Sequence, residues 1–187
     1  MNEFKQKILT AVCEANVLTQ GQCNMIRDDA EVMGMKRSHV MNKDGTTRRS
    51  FTRTCSSCWV PFAPHHNWLY DVVRNIASDL NEEHYRLDIT GIQQLQILRY
   101  RPGQFFLPHF DTFDGGDRKL TMVINLSDPS EFLYGGLRVE CDMKGKENAK
   151  KLGSATIFPT YIKHQALPVF WGSRWVLVAW LTGGQWR

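Results

Sequence analysis

Hydrophobic positions recur along the chain at two spacings, and the change from one to the other divides it. Between Thr19 and Gly34 the residues Cys23, Ile26, Ala30 and Met33 make the apolar stripe of an amphipathic helix. Thr19 followed by Gln22 reads as a capping box at its start, and Gly34 marks its end. A second stripe of Trp68, Leu69, Val72, Val73, Ile76 and Leu80 predicts a helix over about Asn67–Leu80. From Ile92 onward the period falls to two. In the segment 105–111, alternation puts Phe105, Leu107, His109 and Asp111 on one face and Phe106, Pro108 and Phe110 on the other. Residues 174–181 form an almost unbroken apolar run, as in a strand buried on both sides, with even-numbered Arg174 and Trp180 sharing a face.

Helices first, then many short strands separated by Gly, Pro, Asn and Asp, as at 114–117 and 127–130, predict a mainly β fold with helical support. The expected architecture is a jelly roll of two antiparallel sheets, with the N-terminal helices covering one of them. Residues 1–91 would be the helical support and 92–183 the jelly-roll core of a single domain spanning 1–187. No repeat or low-complexity tract interrupts it.

Composition narrows the class. With 187 residues, 42% of them hydrophobic, the chain can bury one good core, and no apolar run is long enough to span a membrane. The polar opening Met1-Asn2-Glu3-Phe4-Lys5 lacks the apolar region of a secretory signal. Five cysteines, an odd number, do not read as a disulfide framework, so a reducing cytoplasm is the expected location.

The polar residues inside the apolar pattern carry the chemistry. His109 and Asp111 share a predicted face, and His164 lies in a predicted loop, 161–164, after a short strand. Two histidines and one carboxylate on one side of a metal leave other positions open for a co-substrate and O₂, as in non-haem Fe(II) oxygenases. Taken alone, His-x-Asp also arises by chance, with the histidine bonded to a carbonyl. Arg174 opens an apolar strand and needs an anionic partner there. A dicarboxylate co-substrate would serve, its carboxylate matching the planar guanidinium; so would an Asp or Glu of the protein itself.

The stretch Gln96-Ile97-Leu98-Arg99-Tyr100-Arg101-Pro102-Gly103 with the His-x-Asp pair resembles the Fe(II)/2-oxoglutarate-dependent dioxygenases, in their prolyl 4-hydroxylase-like branch. Residues 118–127, the double glycine Gly135-Gly136, and His164 followed ten positions later by Arg174 and then by Trp180 extend the likeness. It is specific from about Gln94 to Thr182 and weaker around Val17-Leu18-Thr19 and Cys23. Arg174 stands where many collagen-type relatives carry lysine, and Leu137 where an acidic residue often follows the double glycine.

The resemblance implies a double-stranded β-helix, cupin-like, and a division of roles. His109, Asp111 and His164 would hold Fe(II); Arg174, Tyr100 and Thr121 would bind 2-oxoglutarate; Trp180 would line the substrate pocket. It implies hydroxylation of an unactivated C–H bond with release of succinate and CO₂, O₂ as co-substrate, and ascorbate as a candidate auxiliary ligand. A prolyl residue in a peptide or protein is the expected substrate. A free amino acid or other small metabolite is the alternative, and a silent jelly-roll binding module is a third reading, which loss of a triad residue would have favoured. No membrane partner is expected, and the sequence fixes no oligomeric state.

Three features compete for other roles. Cys55-Ser56-Ser57-Cys58 has the spacing of redox and zinc motifs, but Cys13, Cys23 and Cys141 are isolated and form no second pair. His65-His66 reads as a loop with solvent-facing imidazoles. Lys36, Arg37, Lys43, Arg48, Arg49 and Arg53 form a basic stretch around a Lys43-Asp44-Gly45 turn, expected as a solvated loop or substrate lid; nucleic acid is not the expected partner.

Overall fold

The computed structural model describes residues 10–37, 39–41, 47–49, 51–112 and 116–184. Strand β1 (Thr10–Glu14) leads into helix α1 (Gln20–Met33); β2 (Lys36–Arg37), β3 (His39–Met41), β4 (Thr47–Arg49) and β5 (Ser56–Trp59) precede α2 (Asn67–His84). Then follow β6 (Ile89–Ile92), β7 (Gln96–Tyr100), β8 (Phe106–His109), β9 (Arg118–Asn125), β10 (Phe132–Tyr134) and β11 (Leu137–Val139). The last five are β12 (Asp142–Lys144), β13 (Ala155–Pro159), β14 (His164–Ala166), β15 (Val169–Gly172) and β16 (Arg174–Gly183).

The major sheet has nine strands in the order β12-β1-β13-β9-β16-β7-β5-β2, with β6 beside β16. A three-stranded sheet, β11-β14-β8, and the two-stranded β10-β15 make the opposing layer. This is the expected jelly roll with helical support. Two details depart from expectation. Residues 1–91 are more than a helical support, because β1, β2 and β5 are strands of the major sheet. And β1 pairs with β12 in parallel, a pairing that needs a long crossover and has one, since β2 to β11 lie between.

Strand β16 shows how the layers form. Its odd residues Trp175, Leu177, Ala179 and Leu181 pack with Cys23, Ile26 and Ala30 of α1 and Leu69, Val73, Ala77 and Leu80 of α2. Its even residues Val176, Val178 and Trp180 face the second layer, with Leu98, Val123, Phe158 and Ala166. Thus the helices shield one face of the sheet, and the other is left to build a cavity. The capping box is present, with Gln22 N–H donating to Thr19 Oγ1 and Thr19 N–H to Gln22 Oε1. α1 is tied to β7 by the ion pair of Glu31 with Arg99 and to the turn before β10 by that of Arg27 with Glu131, both guanidiniums lying over the Trp175 ring. α2 runs one turn beyond its predicted end.

Candidate metal centre and cavity

His109 and His164 meet as directly paired residues on the neighbouring strands β8 and β14. The next pair in the register is Ala166 with Phe106, so two residues of β14 span three of β8. A bulge therefore lies at Leu107-Pro108, where proline lacks the N–H to continue the ladder. The bulge overturns the predicted alternation. Phe106 shares the cavity side with His109 and stacks on its ring at 3.5 Å, whereas Leu107 is exposed. His164 likewise opens a strand instead of ending a loop.

The local chain fixes the imidazole tautomers. His109 Nδ1 lies 2.8 Å from the Leu107 carbonyl and His164 Nδ1 3.0 Å from that of Ile162. A carbonyl only accepts, so each Nδ1 carries a proton, and in a neutral ring Nε2 then holds the lone pair that a metal would take. Both Nε2 atoms face one carboxylate, at 3.8 Å from Asp111 Oδ1 and 3.4 Å from Oδ2. The three residues offer donor atoms all within 4.8 Å of one another, a set that fits a divalent iron.

Asp111 is held at three points. Its N–H donates to the Thr160 carbonyl, its own carbonyl accepts from Arg118 Nη1, and its Oδ2 accepts from Thr121 Oγ1 at 2.7 Å. Burial alone would raise its pKa, but His164 and Thr121 outweigh that and hold the carboxyl well below the usual range. Burial, reinforced by His164, lowers His109 to about 4. The cluster therefore presents neutral His109 and ionised Asp111 near neutral pH, the states a metal requires.

A cavity of about 990 Å³ opens beside this cluster. Arg174 and Tyr100 are paired residues on β16 and β7, both buried and both lining it. Among the described residues no carboxylate lies within ion-pair distance of Arg174. Burial pulls its pKa down to about 10, so it is a buried cation awaiting an anion. Burial and the neighbouring Cys55 thiol push the Tyr100 hydroxyl well above its ordinary range, against the pull of Arg53 and Arg174, and it stays a donor. This pair fits the far carboxylate of a dicarboxylate. Thr121 also lines the cavity, with its hydroxyl engaged by Asp111. Trp180 stands opposite Thr121 across β16 and β9, its ring under the Arg118 guanidinium at 4.1 Å and its Nε1 buried without a partner among the described residues.

The features competing for other roles stay outside this cluster. Cys55 packs in the cavity-side core and Cys58 in the helix-side core, so the pair does not converge on a common site. His66 is buried, with Nδ1 3.2 Å from the Pro61 carbonyl, which corrects its reading as solvent-facing; only His65 is exposed. From the basic stretch, Lys36, Arg37 and Arg53 line the cavity, while Lys43 lies outside the described residues. Arg118, Phe106 and Trp59 complete the wall and carried no signal of their own in the sequence pattern. Among the described residues no helix is long and apolar enough to cross a membrane.

A jelly roll whose opposed sheets enclose a His-Asp-His cluster and a buried arginine with no carboxylate partner among the described residues resembles an oxygenase site, and comparison with known proteins agrees. Residues 95–182 match the 2OG-Fe(II) oxygenase superfamily. Over 92% of its length the chain is 25% identical to probable prolyl 4-hydroxylase 3 of Arabidopsis thaliana, of which it covers 69%. Over 88% of its length it is 28% identical to prolyl 4-hydroxylase 5 of the same plant and spans 58% of that protein. A prolyl hydroxylase from Trichoplax adhaerens, solved with a peptide of the hypoxia inducible factor oxygen degradation domain, superposes with a TM-score of 0.75 at 13% identity, covering 96% of this chain and 87% of that one. Over residues 95–182 the chain is similar to the 2OG-Fe(II) oxygenases, and over most of its length to prolyl 4-hydroxylases among them.

Proposed function

We propose that this chain hydroxylates a prolyl residue within a peptide or protein, converting 2-oxoglutarate and O₂ to succinate and CO₂. The observation that carries the choice of substrate is the charge of the cavity wall. Among the described residues Asp111 is the sole carboxylate lining it, and Asp111 is engaged by His109, His164 and Thr121. A free amino acid would bring an ammonium group that finds no anion there, and leaving a charge unpaired in a cavity is costly. A peptidyl proline has no such group. The likeness to prolyl 4-hydroxylases supports the same reading.

In this reading His109, Asp111 and His164 hold Fe(II), which together with 2-oxoglutarate and O₂ supplies the oxidising power for C–H hydroxylation. Arg174 would hold the far carboxylate of 2-oxoglutarate, with the Tyr100 hydroxyl as a further donor. Val176, Val178 and Trp180 exclude water along the same strand face. The test is incubation with Fe(II), 2-oxoglutarate and O₂ against proline-containing peptides, free proline and other amino acids. Succinate release coupled to gain of one oxygen on a peptidyl proline is expected. Oxygen incorporated into free amino acids and into no peptide would replace this substrate with the alternative.

A further inference from the structure

From the same cavity wall, and resting on the prolyl-peptide reading, we infer that the preferred substrate is acidic: a segment carrying aspartate or glutamate beside the target proline, held by Lys36 and Arg37. These two residues form β2, the last strand of the major sheet, paired with Ser57 and Ser56 of β5. Both are exposed and both line the cavity. Neither has an ion-pair partner among the described residues. Glu31, at the end of the preceding helix, is engaged by Arg99.

Deeper along the wall the sign of charge does not change. Arg53 donates to Gln96 Oε1 at 2.7 Å and lies over the Phe106 ring, and Arg118 donates to Gln93 Oε1 and to the Asp111 carbonyl. Both guanidiniums line the cavity and add to the basic character of its wall. With Arg174 assigned to the co-substrate and Asp111 to the metal, the remaining lining among the described residues holds cations and no carboxylate. Low-dielectric walls focus such a field and raise the local concentration of an anionic partner. A lysine or arginine next to the target proline would meet repulsion instead, which sharpens selection.

The cations converge on one cavity mouth in a chain whose net charge is only +4. That footprint suits a few carboxylates better than the continuous phosphate track of a nucleic acid, which calls for an extended basic stripe. An exposed ion pair shifts an equilibrium by up to about fivefold. Two of them, combined with repulsion of the opposite charge, should separate acidic from basic peptides by about tenfold.

The experiment measures fluorescence anisotropy of labelled peptides with one central proline, flanked by glutamates, alanines or lysines. The full chain is loaded with 2-oxoglutarate and with manganese in place of iron, so that binding is read without turnover. The glutamate peptide should bind about tenfold tighter than the lysine peptide, and the gap should shrink in high salt. In the double variant Lys36→Glu, Arg37→Glu, whose exposed positions spare the core and whose folding a thermal melt checks, the order should reverse. Equal binding of the acidic and basic peptides, or an unchanged order in the variant, would overturn the inference. So would displacement of the glutamate peptide by a single-stranded oligonucleotide at lower concentration than by unlabelled peptide. The same peptides with iron and O₂, read by mass, separate the two levels. A glutamate preference in binding with no oxygen on any peptide would sink the prolyl reading and leave the acidic preference standing.

Discussion

Thr121 donates its hydroxyl to Asp111 Oδ2 at 2.7 Å, from a strand of the major sheet to a residue just beyond a strand of the opposing one. The bond fixes the carboxylate that both imidazole Nε2 atoms face. Groups that orient metal ligands typically change metal affinity by about 10- to 100-fold when removed. Thr121→Val keeps the shape and deletes the donor, so Mn(II) or Co(II) affinity by calorimetry should fall within that range, and Thr121→Ser should restore most of it. If instead metal affinity held and the KM for 2-oxoglutarate rose, the hydroxyl would serve the co-substrate, as the family resemblance implies for this position.

His109→Ala and His164→Ala each remove one of three donors whose atoms lie within 4.8 Å of one another. Each variant should lose iron on gel filtration and lose 2-oxoglutarate turnover, while folding is retained because both side chains sit at the cavity and not in the helix-side core. Near-normal turnover with iron bound in either variant would remove that histidine from the site.

The sequence-based reading succeeded where geometry is strictly periodic and failed where one residue breaks the period. The alternation of β16 was legible because a strand buried on both faces admits little register freedom, so Arg174, Val176, Val178 and Trp180 fell on the cavity side as their spacing implied. The His-x-Asp pair was legible as chemistry, yet its strand was read with the wrong partners. A bulge at Leu107-Pro108 turns Phe106 toward His109, and a one-residue insertion is invisible to a period-two rule. β1 and β5 were hidden because strands of four or five residues offer too few positions to reveal a period. The burial of His66 follows from its carbonyl partner at Pro61, a tertiary contact that adjacent histidines do not announce. Lys36 and Arg37 read as part of a solvated basic run, and only the sheet order brings them to the cavity mouth.

Burial pushes the Cys58 and Cys23 thiols up to about 11. At pH 8 only about one in a thousand of either would be thiolate, the reactive form. Iodoacetamide should therefore modify half-buried Cys141 first in the native protein, and Cys23 and Cys58 only on unfolding. Mass mapping of time points checks this. Labelling of Cys58 in the folded protein at the rate of a peptide thiol would reopen a redox role for the Cys55, Cys58 pair.

Leu177 is fully buried in the middle of β16 and packs on the helix side of the sheet. Leu177→Ala should destabilise the fold by about 2–5 kcal/mol, the usual cost of deleting a large core side chain. Urea unfolding reads the loss as a lower midpoint at unchanged slope. The KM for 2-oxoglutarate of the folded fraction should hold, since the neighbouring even-numbered residues, not Leu177, face the cavity. A large KM change without loss of stability would contradict the division of the strand into a structural face and a site face.

Arg174→Ala tests the other half of the site. The guanidinium is buried, carries its charge with a pKa near 10, and has no carboxylate partner among the described residues. If 2-oxoglutarate supplies the anion, removing the cation leaves a buried carboxylate unpaired, a loss of about 2–5 kcal/mol. The KM for 2-oxoglutarate should rise by roughly 30-fold or more by that arithmetic, while Mn(II) affinity measured without co-substrate stays near that of the unsubstituted chain. Arg174→Lys keeps a charge but not the planar fork, and should fall between the two. The alanine variant should also be no less stable than the unsubstituted chain when 2-oxoglutarate is absent, because a buried cation with no partner is a burden on the fold. A pronounced drop in stability without co-substrate, paired with an unchanged KM, would mean that Arg174 serves the fold and that the anion site of this cavity lies elsewhere.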